Sequence, residues 1–223
     1  MNNQMDADTK SSSLKSGTTI LGIVCRDGIV MASDRQISAG NLVVGKKYQK
    51  TIPISDYLLL SFTGSVSDAQ RVAKVLPAEL KLKHLRSKSR PTVKQSANFL
   101  GNMLYAGARQ SMMQVGNLIG GFNEDGSTEL YTIEPAGSVL KVDDYDANFG
   151  SGMPYVLGLL ERQYKKNLSV EEGIKLAVEA LKSSTQRDMG SGYGIDVFTI
   201  KKEGISKVIE QEIISEYRDD KKW

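Results

Sequence analysis

Thr18-Thr19-Ile20-Leu21-Gly22-Ile23-Val24-Cys25, then Arg26-Asp27-Gly28, then Ile29-Val30-Met31-Ala32-Ser33-Asp34: this stretch decides how the fold begins. A β-rich apolar run meets an Asp-Gly turn, and a second apolar run follows, which is the pattern of a β-hairpin. Asp34 ends the return strand, so antiparallel pairing can carry it back toward Thr18. Upstream the composition changes abruptly at Gly17–Thr18. Met1 to Gly17 is polar: Asp6, Asp8, Lys10 and Lys15 cancel, and Ser11, Ser12, Ser13 and Ser16 add to them. Such a stretch cannot bury enough apolar surface to order itself, so it reads as a tail.

Downstream of the hairpin, a polar loop with Gly40-Asn41 leads to a short apolar piece, Leu42 to Val44, and Tyr57 to Thr63 is a further strand closed by Gly64. The period then changes to 3.6. Val66, Ala69, Val72, Ala73, Leu76, Leu80 and Leu85 recur at helical spacing, with Pro77 expected to kink or end the helix locally. Thr92 reads as the N-cap of a second helix reaching about Arg109. Strands are expected at Met112 to Phe122, Leu130 to Ile133 and Val139 to Val142, with turns at Glu124-Asp125-Gly126 and Pro135-Ala136-Gly137. A helix from about Pro154 to Lys165 follows the tight loop Gly150-Ser151-Gly152. Ser169 and Glu172 form a capping box that opens another helix. Ile195 to Ile200 and a hairpin turn at Lys202-Glu203-Gly204 complete the chain. Strands, two helices, strands, two helices and strands predict an α+β layered fold with antiparallel sheets, rather than a doubly wound parallel one.

The composition excludes several classes of function. The chain has 223 residues with a formal net charge of +3, too weak a field to argue for nucleic acid or a membrane surface. No segment approaches ~20 consecutive apolar residues, and the start has no apolar stretch of signal-peptide type. The expectation is a soluble cytoplasmic protein. Cys25 is the only cysteine and lies in an apolar run, where it packs as a small hydrophobe. His84 is the only histidine and sits in the basic stretch Lys81 to Arg86, so neither a zinc site nor a Ser–His–Asp triad is expected. No metal and no cofactor is called for. Arg218 to Lys222 reads as a frayed end.

Chemistry is concentrated at the boundary between tail and strand. A cut between Gly17 and Thr18 would leave Thr18 with two useful groups in one residue, a hydroxyl nucleophile and an α-amine. That amine titrates at about 7.7–8.0 in reference compounds and can serve as a base without histidine. A lysine beside the hydroxyl favours its ionised form, and an aspartate paired with the lysine keeps it charged and oriented. Asp34, at the end of the hairpin, and Lys50, after a loop, have the residue types for those parts; the alternative is that both are surface charges on loops.

The stretch Thr18 to Ile23, then Asp27-Gly28, Ala32-Ser33-Asp34-Arg35, Gly40-Asn41 and Lys50, resembles the β-subunits of proteasomes, the archaeal type above all. Gly64-Ser65-Val66-Ser67-Asp68-Ala69-Gln70, Gly150-Ser151-Gly152 and Arg187-Asp188-Met189-Gly190-Ser191-Gly192 resemble three further motifs of that family. The resemblance runs from Gly17 nearly to the end and implies an αββα four-layer sandwich of the N-terminal-nucleophile hydrolase type. It implies residues 1–17 as a propeptide removed by self-cleavage at Gly17–Thr18, and 18–223 as a catalytic domain hydrolysing peptide bonds of unfolded proteins. Thr18 would be nucleophile and base, Lys50 and Asp34 its charged partners, and Gly64 the oxyanion donor. Ser151, Asp188 and Ser191 would surround the new N-terminus. Ile37, Tyr48, Ile52, Phe62 and Val66 would line the pocket for the substrate side chain before the cut. The implied partners are a heptameric β ring, a ring of α-subunits and an ATPase regulatory particle. Two neighbouring readings stay open at this level: a bacterial-type two-ring protease, and a ring subunit that is structural or unprocessed.

Overall fold

The computed structural model describes residues 17–111, 113–214 and 216. Met112 at the start of one expected strand, the tail before Gly17 and the expected frayed end at 218–222 lie outside the described residues. Two five-stranded antiparallel sheets form the centre. The first runs β10-β1-β2-β11-β12, from β1 (Ile20–Cys25), β2 (Gly28–Asp34), β10 (Tyr145–Asp146), β11 (Gly194–Lys201) and β12 (Gly204–Glu212). The second runs β5-β6-β7-β8-β9, from β5 (Thr51–Pro53), β6 (Leu58–Gly64), β7 (Val115–Phe122), β8 (Thr128–Ile133) and β9 (Val139–Val142). A separate hairpin joins β3 (Ile37–Ala39) to β4 (Leu42–Gly45), so the loop expected before Leu42 contains a strand of its own.

Among the described residues, four helices cover the outer faces. Helices α1 (Val66–Ser87) and α2 (Val93–Ser111) lie on the second sheet, α3 (Met153–Gln163) and α4 (Val170–Thr185) on the first. Both faces of the central strands are therefore buried, which is why these strands read as continuous apolar runs. Side chains alternate along β2: Ile29 and Met31 meet the other sheet beside Leu59, Leu118 and Phe198, while Val30 and Ala32 meet the helices beside Val156, Ala177 and Leu181. Leu59 faces the sheet interface, and its neighbours Leu58 and Leu60 face α1 and α2 with Leu76 and Leu100. Each such side chain, wholly removed from water, contributes roughly 1.5–3 kcal/mol. The result is the expected αββα sandwich.

The helix ends follow the sequence closely. Ser65 accepts from the amide of Asp68 at 3.4 Å, and Thr92 and Gln95 bond each other reciprocally at 3.1 Å each. Ser169 and Glu172 form the full capping box. Pro77 does not end α1, which continues to Ser87 with Ala69, Val72, Leu76 and Leu80 buried along one face. Proline forfeits one backbone bond and costs about 3 kcal/mol in a helix interior. The buried face on both sides of Pro77 offsets that loss.

Candidate functional site

Register places the first charged pair. Ile20 pairs with Ser33 across β1 and β2, and the antiparallel pairing extends one step, the amide of Asp34 donating to the carbonyl of Thr19 at 3.1 Å. Asp34 is thus held opposite the start of the strand that follows Thr18. Lys50 immediately precedes β5 and is locked to β6 by its carbonyl, which accepts from the amide of Phe62 at 3.0 Å. Its Nζ donates to Asp34 Oδ1 at 2.6 Å and reaches the Gly17 carbonyl oxygen at 3.5 Å.

This ion pair is buried, with the Lys50 and Asp34 side chains 3% and 0% exposed. Burial pushes the Asp34 carboxyl up, against Lys50 and the backbone donors around it. Burial pulls the Lys50 ammonium down, against the attraction of Asp34 and the further charge of Asp188. The hydrogen bonds decide the state of the carboxyl. Oδ1 accepts from Lys50 and from the Thr19 amide at 2.8 Å, and Oδ2 accepts from the amides of Gln36 at 2.9 Å and Gly192 at 3.1 Å. Both oxygens face donors, an arrangement that satisfies an ionised carboxylate. Asp34 is anionic here, and Lys50 is its cation.

The second group of polar residues comes from two loops. Ser151 lies in the turn before α3, and Asp188 and Ser191 lie between α4 and β11. Asp188 Oδ2 accepts from Ser151 Oγ at 2.6 Å and from Ser191 Oγ at 2.5 Å. Ser151 Oγ accepts in turn from the Thr18 nitrogen at 3.1 Å. The Thr18 hydroxyl donates to the Gly17 carbonyl oxygen at 2.6 Å. Both groups of residues therefore meet at the peptide bond between Gly17 and Thr18. The backbone there is in close contact with the second loop, since a Cβ on Gly17 would fall 2.0 Å from Gly190 Cα. Only glycine fits.

Beside this bond lies a narrow cleft lined by Thr18, Lys50, Ile37, Tyr48, Phe62 and Val66, with Gln36, Thr63 and Gly64. Tyr48 and Phe62 meet edge to face with centroids 6.0 Å apart. Gly64 has φ +101°, and a Cβ there would meet the Gln114 carbonyl oxygen at 2.4 Å. Ile52 does not line the cleft; it packs against the core beneath α1 and α2. Thr18, Asp34, Lys50, Gly64, Ser151, Asp188 and Ser191 are otherwise brought together around Gly17–Thr18. Gln36 is a participant that the sequence reading passed over: its Nε2 donates to Ser38 Oγ and to the Met189 carbonyl, each at 2.8 Å. Its only signal was its place two residues after Asp34. Cys25 is buried, its thiol pushed up to about 12 mainly by burial, and His84 lies exposed in the last turn of α1. Among the described residues no helix is long and apolar enough to cross a membrane.

A four-layer sandwich with a threonine, a buried lysine–aspartate pair and a serine–aspartate cluster at one strand end defines an N-terminal-nucleophile fold of a particular kind. Residues 14–200 match the family described as "Proteasome subunit", and the chain belongs to that family. It is 45% identical over 191 residues to "Proteasome subunit beta" of Nanoarchaeum equitans (strain Kin4-M), covering 86% of this chain and 96% of the relative. It is 38% identical over 204 residues to the protein of that name from Methanopyrus kandleri, covering 90% and 95%. It is 35% identical over 205 residues to the one from Methanocaldococcus vulcanius, covering 92% and 91%. These similarities place the chain with the beta subunits of the family.

Proposed function

We propose that this chain is a catalytic beta subunit, a threonine endopeptidase made as a precursor whose residues 1–17 are removed by self-cleavage. The observation that carries the reading is the convergence of both polar groups on one peptide bond: Lys50 and the Thr18 hydroxyl at the Gly17 carbonyl oxygen, Ser151 at the Thr18 nitrogen. In the precursor the Thr18 oxygen attacks the Gly17 carbonyl carbon. The C–N bond breaks, an ester forms, and the hydroxyl proton ends on the freed nitrogen. Water then hydrolyses the ester, leaving a Gly17 carboxylate and a free Thr18 amine.

The mature site repeats the chemistry on a substrate. The Thr18 amine takes the hydroxyl proton, Lys50 stabilises the ionised oxygen and Asp34 keeps Lys50 charged. The amide of Gly64 serves the developing oxyanion, a role worth roughly 3 kcal/mol in acyl transfer. The departing peptide amine collects the proton, and water releases the acyl group from Thr18. Ile37, Tyr48, Phe62 and Val66 give the pocket an apolar wall with no acidic group to compensate a buried Lys or Arg, and the cation at its edge, Lys50, is already paired with Asp34. It therefore favours large apolar side chains before the cut. In this reading the subunit works in a cytoplasmic seven-membered ring stacked with rings of α-subunits, and an ATPase particle feeds it unfolded chains.

Peptide hydrolysis by the particle assembled with its α partner tests the proposal. Thr18→Ala abolishes turnover, and Thr18→Ser, which keeps a hydroxyl without the β-branch that restrains it, retains a reduced rate. Undiminished hydrolysis by Thr18→Ala would refute it.

A further inference from the structure

Thr19 has no part in the chemistry above, yet it bonds Asp34 on one side of the site and Ser191 on the other. Its side chain is fully buried. Its amide and carbonyl both bond Asp34, at 2.8 and 3.1 Å. Its hydroxyl lies 2.7 Å from Ser191 Oγ. A Cβ on Gly152 would fall 1.8 Å from that same hydroxyl oxygen, so the loop carrying Ser151 is folded directly over Thr19.

Counting protons fixes the direction of the Thr19–Ser191 bond. Ser191 has one hydroxyl proton and gives it to Asp188 Oδ2. Toward Thr19 it can only accept, so Thr19 is the donor. Ser151 likewise gives its proton to Asp188 and accepts from the Thr18 nitrogen. Two parallel chains of donors, one starting at Thr18 and one at Thr19, therefore end on the same carboxylate oxygen.

Resting on the proposed function, we infer that Thr19 is a positioning residue: its hydroxyl holds Ser191 on Asp188 and so governs how much of that carboxylate's charge reaches the Thr18 amine. Ser191 is buried, 4% exposed, and without Thr19 its oxygen has lost a donor in a place where water does not readily replace it. With no donor behind it the Ser191 hydroxyl is less polarised and donates more weakly to Asp188. More negative charge faces the Thr18 amine, which holds its proton to higher pH. The base is then less available near neutrality, and the acid limb of the pH–rate profile moves upward.

Thr19→Ser and Thr19→Ala differ by a single oxygen, and comparing them in the assembled particle tests the assignment. Thr19→Ser is expected within about threefold of the parent. Thr19→Ala is expected to lose roughly tenfold in kcat at pH 7 relative to Thr19→Ser, the worth of one buried hydrogen bond. KM stays unchanged, and the gap narrows as pH rises. Thr19→Cys, which fills similar space with a weak donor, falls between them and carries the same contrast if Thr19→Ala does not assemble. Intact mass checks that the tail is removed from each variant. Equal kcat values and superimposable pH profiles for the hydroxyl-bearing and hydroxyl-lacking variants would overturn the inference while leaving an active parent, and with it the proposed function, standing.

Discussion

The two sides of the Gly17–Thr18 bond are built differently. Lys50 and Asp34 sit at strand ends, are shut off from water and are held by main-chain donors that the sheet itself positions. Ser151 and Asp188 sit on loops, Ser151 exposed and Asp188 half-buried, and are held by hydroxyl–carboxylate bonds. In the proposed mechanism the sealed side keeps a charge next to Thr18 at all times, because no rearrangement of solvent is needed to present it. In the same proposal the open side admits the water that hydrolyses the ester and rearranges as the peptide nitrogen becomes a free amine. A strand-borne pair and a loop-borne cluster thus divide the chemistry into a fixed part and an adaptable part.

Removing the fixed part has the larger consequence. Lys50→Ala should lose both tail removal and peptide hydrolysis, each by at least ~1,000-fold, because the same charge serves both reactions. It also leaves Asp34 buried without its cation, at a cost of about 3–5 kcal/mol when one partner of a buried pair is deleted. A fall in thermal midpoint should accompany the lost activity. A variant that sheds its tail at the parent rate yet cannot cut peptides would confine Lys50 to the mature enzyme and break the symmetry between the two reactions. Ser151→Ala, on the adaptable side, should slow both reactions by roughly 10- to 100-fold, because solvent can stand in for an exposed hydroxyl. Its thermal midpoint should stay near the parent's. If Ser151→Ala proved as damaging as Lys50→Ala, the open side would be no less fixed than the sealed one.

The fold was largely legible in the sequence because its rules are local. The hairpin of β1 and β2, the capping box at Ser169 and the helical spacing from Val66 each depend on residues within one or two turns of one another. Asp34 beside the start of β1, opposite Thr19, was legible for the same reason, as a consequence of hairpin register. What could not be read was lateral contact between distant segments. Thr19 bonds Ser191, 172 residues away, and Gln36 bonds Met189, 153 residues away; no periodicity announces either. Strands β5 and β10 were missed because three and two residues are too short to show alternation. Of the two effects expected of Pro77, ending the helix did not occur, since a local penalty lost to a buried helix face.

The central claim is that the Gly17–Thr18 bond is the precursor's own first substrate, and intact mass spectrometry of the assembled, active particle tests it most directly. The account predicts a chain that has lost the 17-residue tail and begins at Thr18, leaving 206 of the 223 residues. An active particle containing only the full-length chain, with Thr18 still in peptide linkage to Gly17, would contradict it.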